Sequence, residues 1–361
     1  MTKNVFLFQN SVRSVCLFRT AYLKALLSKG YSVTIVARAD DIGAIKKLEA
    51  LGCTLKLTST SNGITGLIFL FLFLNWQYLI NNLFRTKIKN CIHFLSVGVM
   101  LSPPIWLMRH KSNWVSIEGL GSFATSKFKL KFIRFLLDKK NVHLTFTNRD
   151  EQLRFNARGG RLLGGIGVDL KKYHIDNNFN RKEIGYFGRI VSDKGFYDVI
   201  GLAREIKKRS LPLSVVIFGE IYPNNPSSLS AKELQMLDSE LDGYLKFRGF
   251  VENVVPALST VACLVLPSKR EGFPVVVMEA SACGVPSICY RVPGCEDAVR
   301  DGVNGHLIDL GDKRLFIETA IATALASNDR QAKVSVLCRE YAVQNFDNQE
   351  YGDCTEFCAQ A

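Results

Sequence analysis

Short apolar runs alternate with longer mixed segments along the whole chain. Val5 to Phe8, Ser32 to Arg38, Cys91 to Val97, Trp114 to Ile117 and Asn141 to Asn148 read as strands in the first half. Ile184 to Phe187, Leu213 to Gly219, Val261 to Leu266 and Ser287 to Tyr290 read as strands in the second. Helical patterns separate them, as in the segment that runs to Lys29 and is stopped by Gly30, and helices continue to about Asn345. Strand–helix alternation of this kind predicts parallel sheets in a doubly wound α/β protein. The polar run Asp176 to Asn180 has linker composition and marks a boundary between two domains.

The stretch from Pro267 to Leu307 is the most informative. The apolar run ending at Leu266 breaks into a polar loop, Ser268 to Gly272, and a helix is predicted from Pro274 to Cys283, closing on Gly284. Glu271 lies in the loop and Glu279 in the second helical turn. Between them the N–H groups of Gly272 and Phe273 sit at a helix start, where anions are favoured. A nucleotide-sugar needs this layout: the helix start for its pyrophosphate, a carboxylate for its ribose diol and another for its sugar hydroxyls. Pro274 and Glu279 are about 7 Å apart along the axis, comparable with the span from one sugar to the other. By spacing alone the two glutamates could equally be solvated. Arg189 and Lys194, five apart on a strand-to-helix loop, are likewise either a solvated pair or a cradle for a diphosphate.

Composition narrows the choice. At 361 residues, 47% hydrophobic and 22% charged, the chain is long enough for two domains with sizeable cores. Its ten Cys contain no C-x-x-C pair, which reads as reduced, mostly buried thiols in a cytoplasmic protein. The net charge of +13 is uneven: Met1 to Lys172 holds 26 Lys and Arg against 8 Asp and Glu, a net +18, and the remainder carries −5. The basic half suggests an anionic surface as partner. Two stretches could meet a membrane: the apolar Ile64 to Leu74, and Ser126 to Lys140, where Phe128, Phe132, Phe135 and Leu136 can share a face flanked by Lys127, Lys131, Arg134 and Lys139. Either could instead be a core helix. The apolar run at Val5 to Phe8 is too short for a signal peptide and no run reaches the roughly 20 residues of a bilayer span. No nucleic-acid-binding motif accompanies the charge. The expected location is cytoplasmic and peripheral, on the inner face of the plasma membrane.

E-G-F-P-V-V-V-M-E at Glu271 to Glu279, with A-C-G-V-P, V-P-G-C-E-D and D-G-V-N-G-H-L after it, resembles the E-x7-E region of retaining glycosyltransferases of family 4. G-R-I-V-S-D-K-G at Gly188 to Gly195 and K-F-R-G-F at Lys246 to Phe250 extend the resemblance, and G-G-I-G-V-D at Gly164 to Asp169 and S-I-E-G-L-G at Ser116 to Gly121 carry it thinly into the first half. The resemblance implies the α/β GT-B fold, two Rossmann-like domains facing across a cleft. Residues 1–172 would form the acceptor- and membrane-facing domain, 181–345 the nucleotide-sugar-binding domain and 346–361 a helix crossing back. It implies that Arg189 and Lys194 stabilise a departing diphosphate, that Glu271 orients the donor sugar and that Glu279 binds the ribose. Gly272, Phe273 and Pro274 would meet the pyrophosphate and Gly249 and Phe250 the nucleobase. Gly188 would complete the donor site with Ser11, which stands in Q-N-S-V where the family has a glycine-rich loop. Glu118 is an acceptor contact, a general base or a turn residue.

The implied reaction moves a hexose or N-acetylhexosamine from a UDP-sugar to a polyprenyl-diphosphate-linked sugar, with retention, in bacterial surface-glycan assembly such as O-antigen or capsule. No D-x-D occurs, so no metal and no cofactor beyond the donor substrate are expected. Two rival readings are a UDP-sugar epimerase of the same fold and a non-catalytic glycan- or membrane-binding protein. The intact set Arg189, Lys194, Glu271 and Glu279 argues against the second.

Overall fold

The computed structural model describes residues 3–58, 72–73, 76, 90–95, 112–119, 127–138, 140–155, 160–176, 179–222, 225 and 227–347. The chain divides into two compact units, one running to Ile166 and the other Gly167–Asp347. The expected stretch Ile64 to Leu74, apart from residues 72–73, and the 348–361 part of the tail lie outside the described residues.

The first unit is a parallel seven-stranded sheet in the order β3-β2-β1-β4-β5-β6-β7. The strands are β1 (Lys3–Phe8), β2 (Tyr31–Arg38), β3 (Thr54–Thr58), β4 (Asn90–Leu95), β5 (Ser112–Ile117), β6 (Val142–Phe146) and β7 (Arg161–Leu162). The helix Val12–Ser28 follows β1; Ser11 starts it by accepting from Ser14 N, and Gly30 at φ 78° ends it. Val15, Leu23 and Leu26 of this helix pack on Val5, Leu7, Val33 and Ile35 of the strands. The helix Lys127–Leu137 turns Ile133 and Leu137 onto a second core patch with Val115, Ile117 and Phe146.

The second unit is a parallel six-stranded sheet ordered β10-β9-β8-β11-β12-β13. Its strands are β8 (Glu183–Phe187), β9 (Ser214–Phe218), β10 (Leu245–Phe247), β11 (Val261–Leu266), β12 (Ser287–Tyr290) and β13 (Gly305–Ile308). All residues of β11 and β12 are buried, as expected of parallel strands covered on both faces. Sequence order reverses between β8 and β11, which leaves a crevice at their carboxyl ends, the place where open α/β sheets bind ligands.

The sequence reading assigned no strand at β3, β7 or β13, and two further details differ. Pro274 is the N-cap and not the first helical residue: it is extended at φ −76° and ψ 107°, and the helix is Val275–Ala282. The division between units falls at Gly167, ahead of the Asp176 to Asn180 run. Arg339, on the helix Asn328–Asn345, is the reason. It donates to Leu170 O at 3.0 Å and Tyr173 O at 2.8 Å, and so fastens residues 170–173 to the second unit. Three further helices, Ile42–Ala50, Ala231–Leu241 and Val255–Thr260, were not anticipated from the sequence. The second has a capping box that was readable, Ser230 accepting from Glu233 N with Glu233 returning to Ser230 N.

Candidate functional site

The loops that leave β8 and β11 at the reversal carry the charged residues of the site. After β8 the chain runs through Gly188 and Arg189 into a short 3-10 turn, Ser192–Lys194, and on through Gly195 to the helix Phe196–Lys208. Gly195 sits at φ 72°, and a Cβ there would lie 1.9 Å from Pro267 O, so only glycine lets the two loops touch. Lys269 N donates to Asp193 O at 3.0 Å and closes the same seam. The result is one ion pair across the crevice: Lys194 Nζ is 2.7 Å from Glu271 Oε1, with side chains 23% and 10% exposed. Arg189 is placed by Tyr186, whose buried phenol donates to Arg189 O at 2.6 Å, and its guanidinium lies 5.8 Å from the Tyr222 ring.

The helix Val275–Ala282 starts beside this pair. Its N-cap is a proline with no side-chain acceptor, so its first amides are not capped by a side chain. Phe273 packs edge-on to Phe346 with ring centroids 6.1 Å apart. That side chain anchors the loop. Val277, Met278, Ala280 and Ala282 are fully buried, each large side chain contributing about 2 kcal/mol of hydrophobic stabilisation. The packed face fixes Glu279, whose Oε1 accepts from Tyr173 Oη at 2.7 Å. Burial raises the Glu279 carboxyl above its ordinary range, and the Tyr173 hydrogen bond and the charge of Lys172 oppose that rise.

Gly249, at φ 75°, and Phe250, 46% exposed, follow β10 at the edge of the same sheet. The loop after β9 passes so close that a Cβ on Gly219 would lie 1.9 Å from Gly188 O. Arg189, Lys194, Glu271, Glu279, Gly188, Gly272, Phe273, Pro274, Gly249 and Phe250 thus all follow or flank the carboxyl ends of strands of one sheet.

The other two expected residues belong to the first unit. Glu118 follows β5 and is held by Ser116, whose Oγ donates to Oε1 at 2.9 Å, and by an ion pair from buried Arg19 to Oε2. Arg19 comes from the helix after β1, and no motif marked it. Ser11 serves as a helix N-cap. No helix among the described residues is long and apolar enough to cross a membrane, and none of their His, Cys, Asp and Glu side chains gather in threes as a metal site would require. Cys263, Cys283, Cys289, Cys295 and Cys338 are free, buried thiols.

Two α/β units with parallel sheets and charged loops at the strand reversal define the GT-B class of glycosyltransferase folds. Over 98% of the chain, the structure of Anabaena Alr3699/HepE in complex with UDP and glucose superposes with a TM-score of 0.78 at 16% identity, covering 99% of that chain. The sucrose-phosphate synthase of Thermosynechococcus elongatus gives a TM-score of 0.79 at 17% identity, covering 99% and 98% of the two chains. Residues 181–326 match the family described as glycosyl transferases group 1. Among curated relatives, the Staphylococcus aureus capsular polysaccharide biosynthesis glycosyltransferase CapM is 28% identical over 162 residues, 42% of each chain. The chain therefore matches less than half of that relative's length. The Campylobacter jejuni N,N'-diacetylbacillosaminyl-diphospho-undecaprenol alpha-1,3-N-acetylgalactosaminyltransferase is 24% identical over 320 residues, 81% of each.

Proposed function

We propose that the protein is a retaining glycosyltransferase that moves a hexose or N-acetylhexosamine from a UDP-sugar to a sugar carried on a lipid diphosphate, in bacterial surface-glycan assembly. The observation that carries this reading is the Lys194–Glu271 pair at 2.7 Å, set across the strand reversal beside a helix start that bears Glu279 about one turn on. A diphosphate entering the crevice takes over Lys194 and gains Arg189. Glu271, released from the lysine, is then free to accept from hydroxyls of the donor sugar. In the transfer, the bond from the anomeric carbon to the β-phosphate oxygen breaks and a bond from that carbon to the acceptor oxygen forms on the same face. The acceptor hydroxyl proton passes to the departing diphosphate, whose growing charge the two cations stabilise. Glu279 accepts from the ribose diol. Glu118, locked by Arg19 and Ser116, is an acceptor-side carboxylate of fixed orientation.

Three observations support the acceptor assignment. The Campylobacter relative's name specifies a diphospho-undecaprenol-linked substrate. The first 172 residues carry a net +18. The helix Lys127–Leu137 points Phe128, Phe132 and Phe135 outward at 81%, 55% and 67% exposure, with exposed Lys131 and part-exposed Arg134 among them. Aromatic side chains and cations on one exposed helix suit the interface of an anionic bilayer. The protein would then work in the cytoplasm, on the inner face of the plasma membrane.

The test is UDP release across a panel of UDP-sugars, with and without polyprenyl-diphosphate-linked sugar from a bacterial membrane extract. Release that requires the lipid acceptor and persists in EDTA is expected. Release without acceptor would replace this reading with hydrolysis or epimerase chemistry, and loss in EDTA would overturn the metal-independent clamp.

A further inference from the structure

Tyr173 lies outside every motif, yet it makes the closest polar contact to the proposed ribose-binding carboxylate. Its Oη donates to Glu279 Oε1 at 2.7 Å across 106 positions of sequence. The main chain around Tyr173 is held from behind. Arg339 Nη1 donates to Tyr173 O at 2.8 Å and to Ala282 O at 2.7 Å, and Nη2 donates to Leu170 O at 3.0 Å. One guanidinium therefore binds the 170–173 segment to the last turn of the same helix that carries Glu279. Val168 N adds a bond to Phe346 O at 2.7 Å, and the Lys172 ammonium lies 5.5 Å from the Tyr173 ring centroid. The tyrosine is 6% exposed.

A carboxylate has two oxygens and about four acceptor sites. A phenol fixed on one oxygen sets the plane of the group and leaves the other oxygen for a ligand. We infer that Tyr173 is a positioning residue of the donor site, holding Glu279 in the orientation in which its free oxygen receives the ribose diol of the nucleotide. The inference rests on the donor reading given above. A tyrosine that merely filled the core would act on stability alone; this one also sets how Glu279 binds and titrates. The groups that act on Glu279 are Tyr173 and Lys172 of the 167–173 segment and Cys283, the C-cap of its own helix, with Asp169 acting on Tyr173, and Arg181 and Arg339 acting on Cys283. Because the Tyr173 hydrogen bond opposes the upward push of burial, its removal moves the Glu279 titration to higher pH.

The experiment measures UDP affinity by calorimetry from about pH 5 to 8 for wild type, Y173F, E279Q and E279A, with thermal unfolding alongside. E279Q supplies the profile due to the ligand's own titration. Y173F should bind UDP about tenfold more weakly at neutral pH, the scale of one charge-assisted hydrogen bond. Relative to E279Q, its affinity should fall on acidification at a higher pH than that of wild type. Y173F with wild-type affinity and pH profile, while E279A loses affinity, overturns the inference and leaves the donor reading standing. A lower melting point in Y173F with unchanged UDP binding overturns it too, by making the phenol purely structural. E279A with full affinity overturns the donor reading, and the inference falls with it.

Discussion

Glu271→Gln separates the two roles of the crevice ion pair. Lys194 is paired with Glu271 at 2.7 Å, so a diphosphate must displace a carboxylate to gain the cation. Two unit charges at that distance attract by about 6 kcal/mol at an effective dielectric of about 20. Most of that is offset by lost hydration, and the pair keeps contact with water at 23% and 10% exposure, so a net worth of about 1 kcal/mol is the better figure. An amide keeps the shape and one acceptor oxygen but removes the charge. The variant should therefore bind UDP about fivefold more tightly, which is what 1 kcal/mol converts to. Turnover should fall at least about 100-fold, because the carboxylate that orients the donor sugar is gone. Calorimetry with UDP and a UDP-release assay with lipid-linked acceptor read the two effects separately. Weaker UDP binding in E271Q would refute the displacement argument, and undiminished turnover would refute the sugar-orienting role.

Gly219→Ala places a Cβ 1.9 Å from Gly188 O, two main-chain loops that cannot separate without opening the crevice; urea unfolding should show a loss of about 2–3 kcal/mol, and a wild-type midpoint would mean that the loops yield. Glu279→Gln should raise the melting temperature at about pH 8, with the gain gone below about pH 4. The sign follows from the raised carboxyl: ionising it costs the folded state more than the unfolded one, a cost present above the folded pKa and absent once both states are protonated, so a gain that persisted in acid would contradict it. Replacing Phe128, Phe132 and Phe135 together with Ser should abolish flotation with anionic vesicles while leaving UDP binding intact; a variant that floats like wild type would remove this helix from the membrane assignment.

Strands were the most legible elements. Val261 to Leu266 and Ser287 to Tyr290 are continuous apolar runs, and a parallel strand buried on both faces has no other way to be written. The helix boundaries around Glu279 were readable to within one residue, because Gly284 at φ 70° and the proline at 274 act on the backbone locally. A helix as short as Val255–Thr260 escaped because six residues are too few to show a helical period. The outward face of Lys127–Leu137 was visible as a pattern, but whether Phe128 or Ile133 met the core was not.

By itself the sequence determined two α/β units, most of the strands and a set of charged residues near their ends, since each depends on spacing and local backbone chemistry. Tertiary structure alone decided the partners. It tied Lys194 to Glu271 and Tyr173 to Glu279, gave Glu118 to Arg19, and carried residues 167–173 into the second unit through Arg339. These contacts join positions 77 to 169 residues apart. A carboxylate's partner, and with it the carboxylate's charge and direction, is set by what the fold brings beside it, and no local pattern encodes that.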